Sequence, residues 1–112
     1  MLLGMVTLPA APALAAEVGC TFTGSNISCS TATLPNATTK ITIQVTGVKI
    51  GDKAATLTCR AYDQGGTQRA SASNPAGRGT VISPHTVPSS KYFLVCIRPS
   101  GSTGGSGRIA DS

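Results

Sequence analysis

Between Thr39 and Val45 polar and apolar residues alternate without a break, with Ile41, Ile43 and Val45 on one side and Thr42, Gln44 and Thr46 on the other. A period of two marks a half-buried strand, because successive side chains point to opposite faces. Gly47 interrupts the phase and Val48 and Ile50 continue on the even positions, so a bulge or bend is expected there. A second strand is read from about Ala54 to Tyr62, with Ala55, Leu57, Cys59 and Ala61 on its inner face. Asp63-Gln64-Gly65-Gly66 and Asn74-Pro75-Ala76-Gly77 carry turn chemistry. With the first of them as a four-residue loop, Cys59 faces Ala70, Leu57 faces Ala72 and Arg60 faces Arg69. Thr80–Ser83 reads as a short strand and Pro84 to Ser90 as a loop containing two prolines. The final strand, Lys91–Arg98, is nearly all apolar, as a centrally buried strand would be.

An earlier unit runs from Cys20 to Cys29. With Gly24-Ser25 as a two-residue hairpin loop, Thr23 faces Asn26, Phe22 faces Ile27, Thr21 faces Ser28 and Cys20 faces Cys29. The cysteines then fall on a non-hydrogen-bonded pair, where side chains approach most closely, and they share a face with Phe22 and Ile27. This predicts a Cys20–Cys29 disulfide and leaves Cys59 to pair with Cys96. About six or seven short strands with frequent turns and no sustained helical period predict an all-β fold, a small disulfide-stabilised β-sandwich. Leu57-Thr58-Cys59-Arg60-Ala61 resembles the B strand of immunoglobulin domains, with Cys96 as the F-strand partner. The resemblance covers a handful of residues. Leu94 stands where that family places Tyr, the chain has no Trp, and the cysteine separation is short, so membership is not inferred.

At 112 residues the chain holds one domain. Its first residues are apolar and uncharged and lead to Ala13-Leu14-Ala15, a small-x-small triplet, so residues 1–15 read as a signal peptide. No Lys or Arg precedes the apolar run, which places the expected true start upstream of Met1. The run is too short to span a bilayer. Behind it the four cysteines read as a disulfide framework of a secreted domain. Wide spacings, a single His and the lack of a C-x-x-C pair argue against zinc. Residues 16–100 form the expected domain, and the Gly/Ser-rich stretch 101–112 is expected to be a flexible tail.

Catalytic chemistry is thin. His85 is the only histidine; a Ser–His pairing is conceivable, and the simpler expectation is an exposed loop residue between prolines. Of the four acids, Glu17 and Asp111 lie near ends expected to be mobile, which leaves Asp52 and Asp63. Paired-carboxylate hydrolysis and a calcium cage are therefore disfavoured, and no catalytic residue, cofactor or metal ligand is assigned. The net charge of +5 favours anionic partners. Arg60 and Arg69, with Tyr62 on the same face, are the candidate anion-binding residues, and Lys49, Lys53, Arg78 and Lys91 could extend them. Few aromatics argue against nucleic acid. Asn26-Ile27-Ser28 and Asn36-Ala37-Thr38 fit the glycosylation sequon. The function expected from these features is a non-enzymatic secreted binding module for an anionic cell-envelope polymer or an extracellular protein. The alternative is a secreted effector, an enzyme inhibitor or cationic antimicrobial.

Overall fold

The alternation around Ile41 builds the longest strand of the structure, a computed structural model that describes residues 15–111. In chain order the strands are β1 (Glu17–Thr21), β2 (Ser28–Ser30), β3 (Thr38–Ile50), β4 (Lys53–Ala55), β5 (Leu57–Tyr62), β6 (Gln68–Asn74), β7 (Thr80–Ser90), β8 (Phe93–Ile97) and β9 (Thr103–Asp111). One sheet runs β1-β9-β3, with β7 and β4 both paired to β3; the other runs β2-β8-β5-β6. All pairings are antiparallel. The two sheets pack as a β-sandwich. Ile41, Ile43, Val45 and Ile109 from the first meet Leu57, Cys59, Ala61, Leu94 and Cys96 from the second, all fully buried. Strand alternation thus supplies both inner faces.

Both expected disulfides are present, in a different setting from the one spacing suggested. Cys20–Cys29 closes no hairpin ladder, because β1 pairs with β9 and β2 pairs with β8. A turn does form, with the Asn26 N–H donating to the Thr23 carbonyl at 3.1 Å, but the chain then crosses to the other sheet. This bond therefore staples sheet to sheet, and Ile27 points into solvent instead of joining Phe22. Cys59–Cys96 is the converse: the two residues are direct partners on adjacent strands of one sheet. The immunoglobulin B–F bond joins two sheets, so the likeness around Leu57–Ala61 ends at the strand itself. A tyrosine does occupy the strand entry, two residues before Leu94. Tyr92 is buried, and its hydroxyl donates to the Pro88 carbonyl, the geometry by which a tyrosine corner pins a crossing between sheets.

Three further expectations are corrected. The strand read over 54–62 is two strands, because the chain leaves the first sheet after Ala55 and enters the second at Leu57. Ile50, at the end of β3, is exposed; at Gly47 the β3–β9 register runs through without a slip, which excludes the bulge and leaves the bend of the two expected alternatives. Pro84 to Ser90 belongs to β7; a proline has no N–H to give, and β7 tolerates it as an edge strand bonded to β3 alone.

The largest correction concerns the segment after Ser100. It is no flexible tail: β9 sits between β1 and β3, at the heart of the first sheet. β9 is therefore part of the domain. Its glycines serve close approach. A Cβ on Gly105, whose φ is +87°, would lie 2.3 Å from the Val48 side chain, and one on Gly107 would lie 2.1 Å from Cys96 Sγ. The leader reading, residues 1–15, lies outside the described residues apart from Ala15.

Candidate binding surface

Because Cys59 and Ala61 point into the core, Thr58, Arg60 and Tyr62 of β5 point out of the sandwich. The registers on either side fill in the rest of that outer face. Thr58 lies between Ile97 and Ser73, Arg60 between Val95 and Ser71, and Tyr62 between Phe93 and Gln68. Ser28 and Ser30 of β2 continue the first two rows beyond Ile97 and Val95. The strand expected to be centrally buried is central, between β2 and β5, and its outer face is partly open. Phe93, Val95 and Ile97 form a solvent-facing apolar stripe, with Ile97 45 % exposed. Tyr62 and Phe93 stack at 5.6 Å between ring centroids and an interplanar angle of 21°, which stiffens one end of the stripe. Thr58 and Ser73 hydroxyls bond at 3.0 Å at the other end.

The predicted Arg60–Arg69 apposition does not occur. The turn is one residue longer than expected, with the Asp63 N–H bonded to the Thr67 carbonyl and Tyr62 facing Gln68, and a register irregularity after Ala61 then leaves Arg69 unpaired, so Ala61 faces Ala70, Arg60 faces Ser71, Cys59 faces Ala72 and Leu57 faces Asn74. Arg69 turns to Asp63 instead, its Nε donating to Oδ2 at 2.9 Å. Asp63 also accepts the N–H groups of Gly65 at 2.9 Å and Thr67 at 3.0 Å. These bonds, Thr67's first and the Arg69 side chain's next, hold the carboxyl below its ordinary range. Arg69 is thus a clamp for the 63–67 turn and leaves the anion-binding candidates. Arg60 and Tyr62 remain on one face, and Arg60 has no ion-pair partner among the described residues.

Two other arginines are engaged. Arg108 pairs with Glu17 at 3.1 Å on the open surface, a contact that contributes little by itself. Nothing in the sequence marks Arg98. It is buried and donates to three carbonyls, those of Asn26 (2.9 Å), Gly104 (3.0 Å) and Gly24 (2.8 Å), with its guanidinium 4.5 Å over the Phe22 ring. It ties the 22–27 crossing to β9; a lone Arg after an apolar strand carries no signal of that task. Lys40, Lys49, Lys53 and Arg78 are exposed, and Lys91 is half-buried, all without ion pairs among the described residues. The sequon residues Asn26 and Asn36 are exposed.

The Ser–His pairing is real in geometry: Ser83 Oγ lies 2.8 Å from His85 Nε2. His85 is half-buried within β7, opposite Ile41, so the expectation of an exposed loop residue is corrected. No carboxylate bonds the ring among the described residues. Asp111 bonds the Ala16 backbone N–H at 2.8 Å and receives no proton from His85, so it is ordered, contrary to expectation, and committed to holding the entry to β1. The dyad therefore lacks the orienting third group that nucleophilic catalysis uses. No protein-family model matches the chain, and no curated protein matches it in sequence.

Proposed function

We propose that this chain is a secreted, non-enzymatic binding module that docks an extracellular protein through the outer face of β8 and β5. The observation that carries the reading is the combination at Arg60. Among the described residues, a guanidinium without an ion-pair partner stands among Val95, Tyr62 and Phe93 on a sheet face that no third layer covers. Apolar area with an aromatic pair and a central Arg is the composition of interface cores, and the charge calls for a carboxylate on the partner. Hydroxyls at Ser28, Ser30, Ser71 and Ser73 frame the patch as a polar rim. An anionic envelope polymer is supported by the overall charge of +5, which does not account for the apolar stripe. A secreted inhibitor would use the same face on a soluble target.

The test is co-sedimentation of the oxidised protein with envelopes of the source cells, intact or protease-treated, at low and high salt. Protein docking gives binding that protease abolishes, that survives high salt in part, and that Arg60→Glu and Val95→Asp each remove. Protease-resistant binding lost at high salt would instead establish a polymer, since salt screens exposed charge contacts. No sedimentation under any condition would overturn an envelope partner and leave the inhibitor reading, which a growth-inhibition assay then addresses.

A further inference from the structure

The two disulfides are neighbours. Cys29, Cys96 and Cys59 stand in one row across β2, β8 and β5, with Cys96 the direct strand partner of both others. Cys20 reaches the row from the opposite sheet, and the Sγ atoms of Cys20, Cys29 and Cys96 all lie within 4.8 Å of one another. Cys59 and Cys96 have Cα atoms 4.0 Å apart, the close spacing of a non-hydrogen-bonded pair. On its other side Cys96 must then form a hydrogen-bonded pair with Cys29, at a Cα separation of about 5.5 Å. That lies inside the span of roughly 4.4–6.8 Å that disulfides bridge. With their sulfurs already within 4.8 Å, a Cys29–Cys96 bond is within reach of small side-chain and backbone adjustments.

Burial sets an order of events. Cys59 and Cys96 are fully buried, whereas Cys20 and Cys29 are half-buried, so an external thiolate meets the inter-sheet bond first. We propose that the four cysteines form one thiol–disulfide exchange site, in which an external thiol reductant opens Cys20–Cys29 and the Cys29 thiolate passes the opening to the buried bond. The external thiolate attacks Cys20 Sγ; a mixed disulfide forms, and the electron pair of the broken bond stays on Cys29. The Cys29 thiolate attacks Cys96 Sγ, the Cys29–Cys96 bond forms, and Cys59 leaves as a thiolate that takes a proton from solvent. A second external thiolate releases Cys20 and carries away the oxidised reductant. The chain ends with one disulfide, within a single sheet, and the sheet-to-sheet staple is gone. Exchange of this kind needs only a thiolate within reach of a disulfide sulfur.

The test treats the folded, oxidised chain with one equivalent of dithiothreitol, traps thiols by alkylation, and maps the one-disulfide species. Chymotryptic cleavage after Phe22 separates Cys20 from Cys29, and tryptic cleavage after Arg60 separates Cys59 from Cys96. The expected major species carries label on Cys20 and Cys59 and retains a Cys29–Cys96 link. A species labelled on Cys20 and Cys29 with Cys59–Cys96 intact would overturn the proposal, and so would any other dominant pairing. Cys20→Ser gives a second arm without reductant. Its unpaired thiol is expected to appear at Cys59 as well as Cys29, whereas label confined to Cys29 would refute the exchange.

Discussion

Gly107 on β9 and Cys96 on β8 face each other across the sandwich so closely that a Cβ on the glycine would sit 2.1 Å from the cysteine sulfur and 2.9 Å from that of Cys59. The buried disulfide occupies the space that a side chain at position 107 would need. Gly107→Ala is therefore an overpacking substitution at a site where both neighbours are covalently fixed. Overpacked cores lose about 1–3 kcal/mol, and with so little freedom to relax this variant should reach or exceed the upper end. Its melting temperature under oxidising conditions is expected to fall by at least about 10 °C, given that 1 kcal/mol shifts a domain of this size by about 4–8 °C. A variant that melts like the parent would show that the two sheets are not held at this separation.

The same pair shows where sequence reasoning failed. Runs of Gly and Ser are flexible as free chain, and nothing in composition separates that use from a strand whose neighbours leave no room for side chains. Ile109 was the hint, the one large apolar residue in a stretch otherwise read as linker, and it is fully buried. Alternation was legible wherever one face is buried, as at Ile41, Ile43 and Val45 and again at Leu57, Cys59 and Ala61, because the period depends on local geometry alone. Partner choice was not. The Cys20–Cys29 spacing fits a hairpin and a sheet crossing equally well, and a turn one residue longer than expected together with one irregularity after Ala61 takes Arg69 away from Arg60. The central place of β8 was legible in its apolar run, but its open outer face was not, because periodicity cannot tell a strand covered on both faces from one awaiting a partner.

Removing the stretch 103–112 follows as a direct prediction. A disordered tail could be deleted without cost. Here deletion takes out the strand between β1 and β3, the Gly104 carbonyl that Arg98 holds, and the Ile109 side chain. The truncated chain is expected to show no cooperative melt and little yield of folded protein. Retention of a sharp thermal transition would argue that β1 and β3 pair without β9.

The disulfides are not of equal weight. Closing the longer Cys59–Cys96 loop is worth about 4 kcal/mol in the chain-entropy model, against about 3 kcal/mol for Cys20–Cys29. The former pair is also fully buried, so its removal leaves a void in the core. Since an unpaired cysteine beside an intact bond could exchange with it, the comparison belongs to double variants. Cys59→Ala with Cys96→Ala should lower the melting temperature and secretion yield more than Cys20→Ala with Cys29→Ala. Equal losses would contradict the ranking.

Asp63 and Arg69 separate folding from binding. The Asp63 carboxyl is depressed in the folded chain, first by the Thr67 N–H and then by Arg69. A carboxylate with a lowered folded pKa contributes stability that is present above its unfolded value, near 3.8, and is lost as pH falls through the folded value. The melting temperature should therefore drop as pH is lowered from about 5 toward 2. Asp63→Asn should start lower at neutral pH and follow a flatter acid limb, because its amide cannot ionise. Arg69→Leu removes one of the groups that hold the carboxyl down and should begin its loss at a higher pH than the parent. Arg60→Ala, away from this clamp, should leave the whole pH profile within the roughly 0.5 kcal/mol typical of surface changes. An Arg60 variant whose acid limb moved as Arg69→Leu does would mean that the two arginines share Asp63, and that Arg60 is not free to meet a partner.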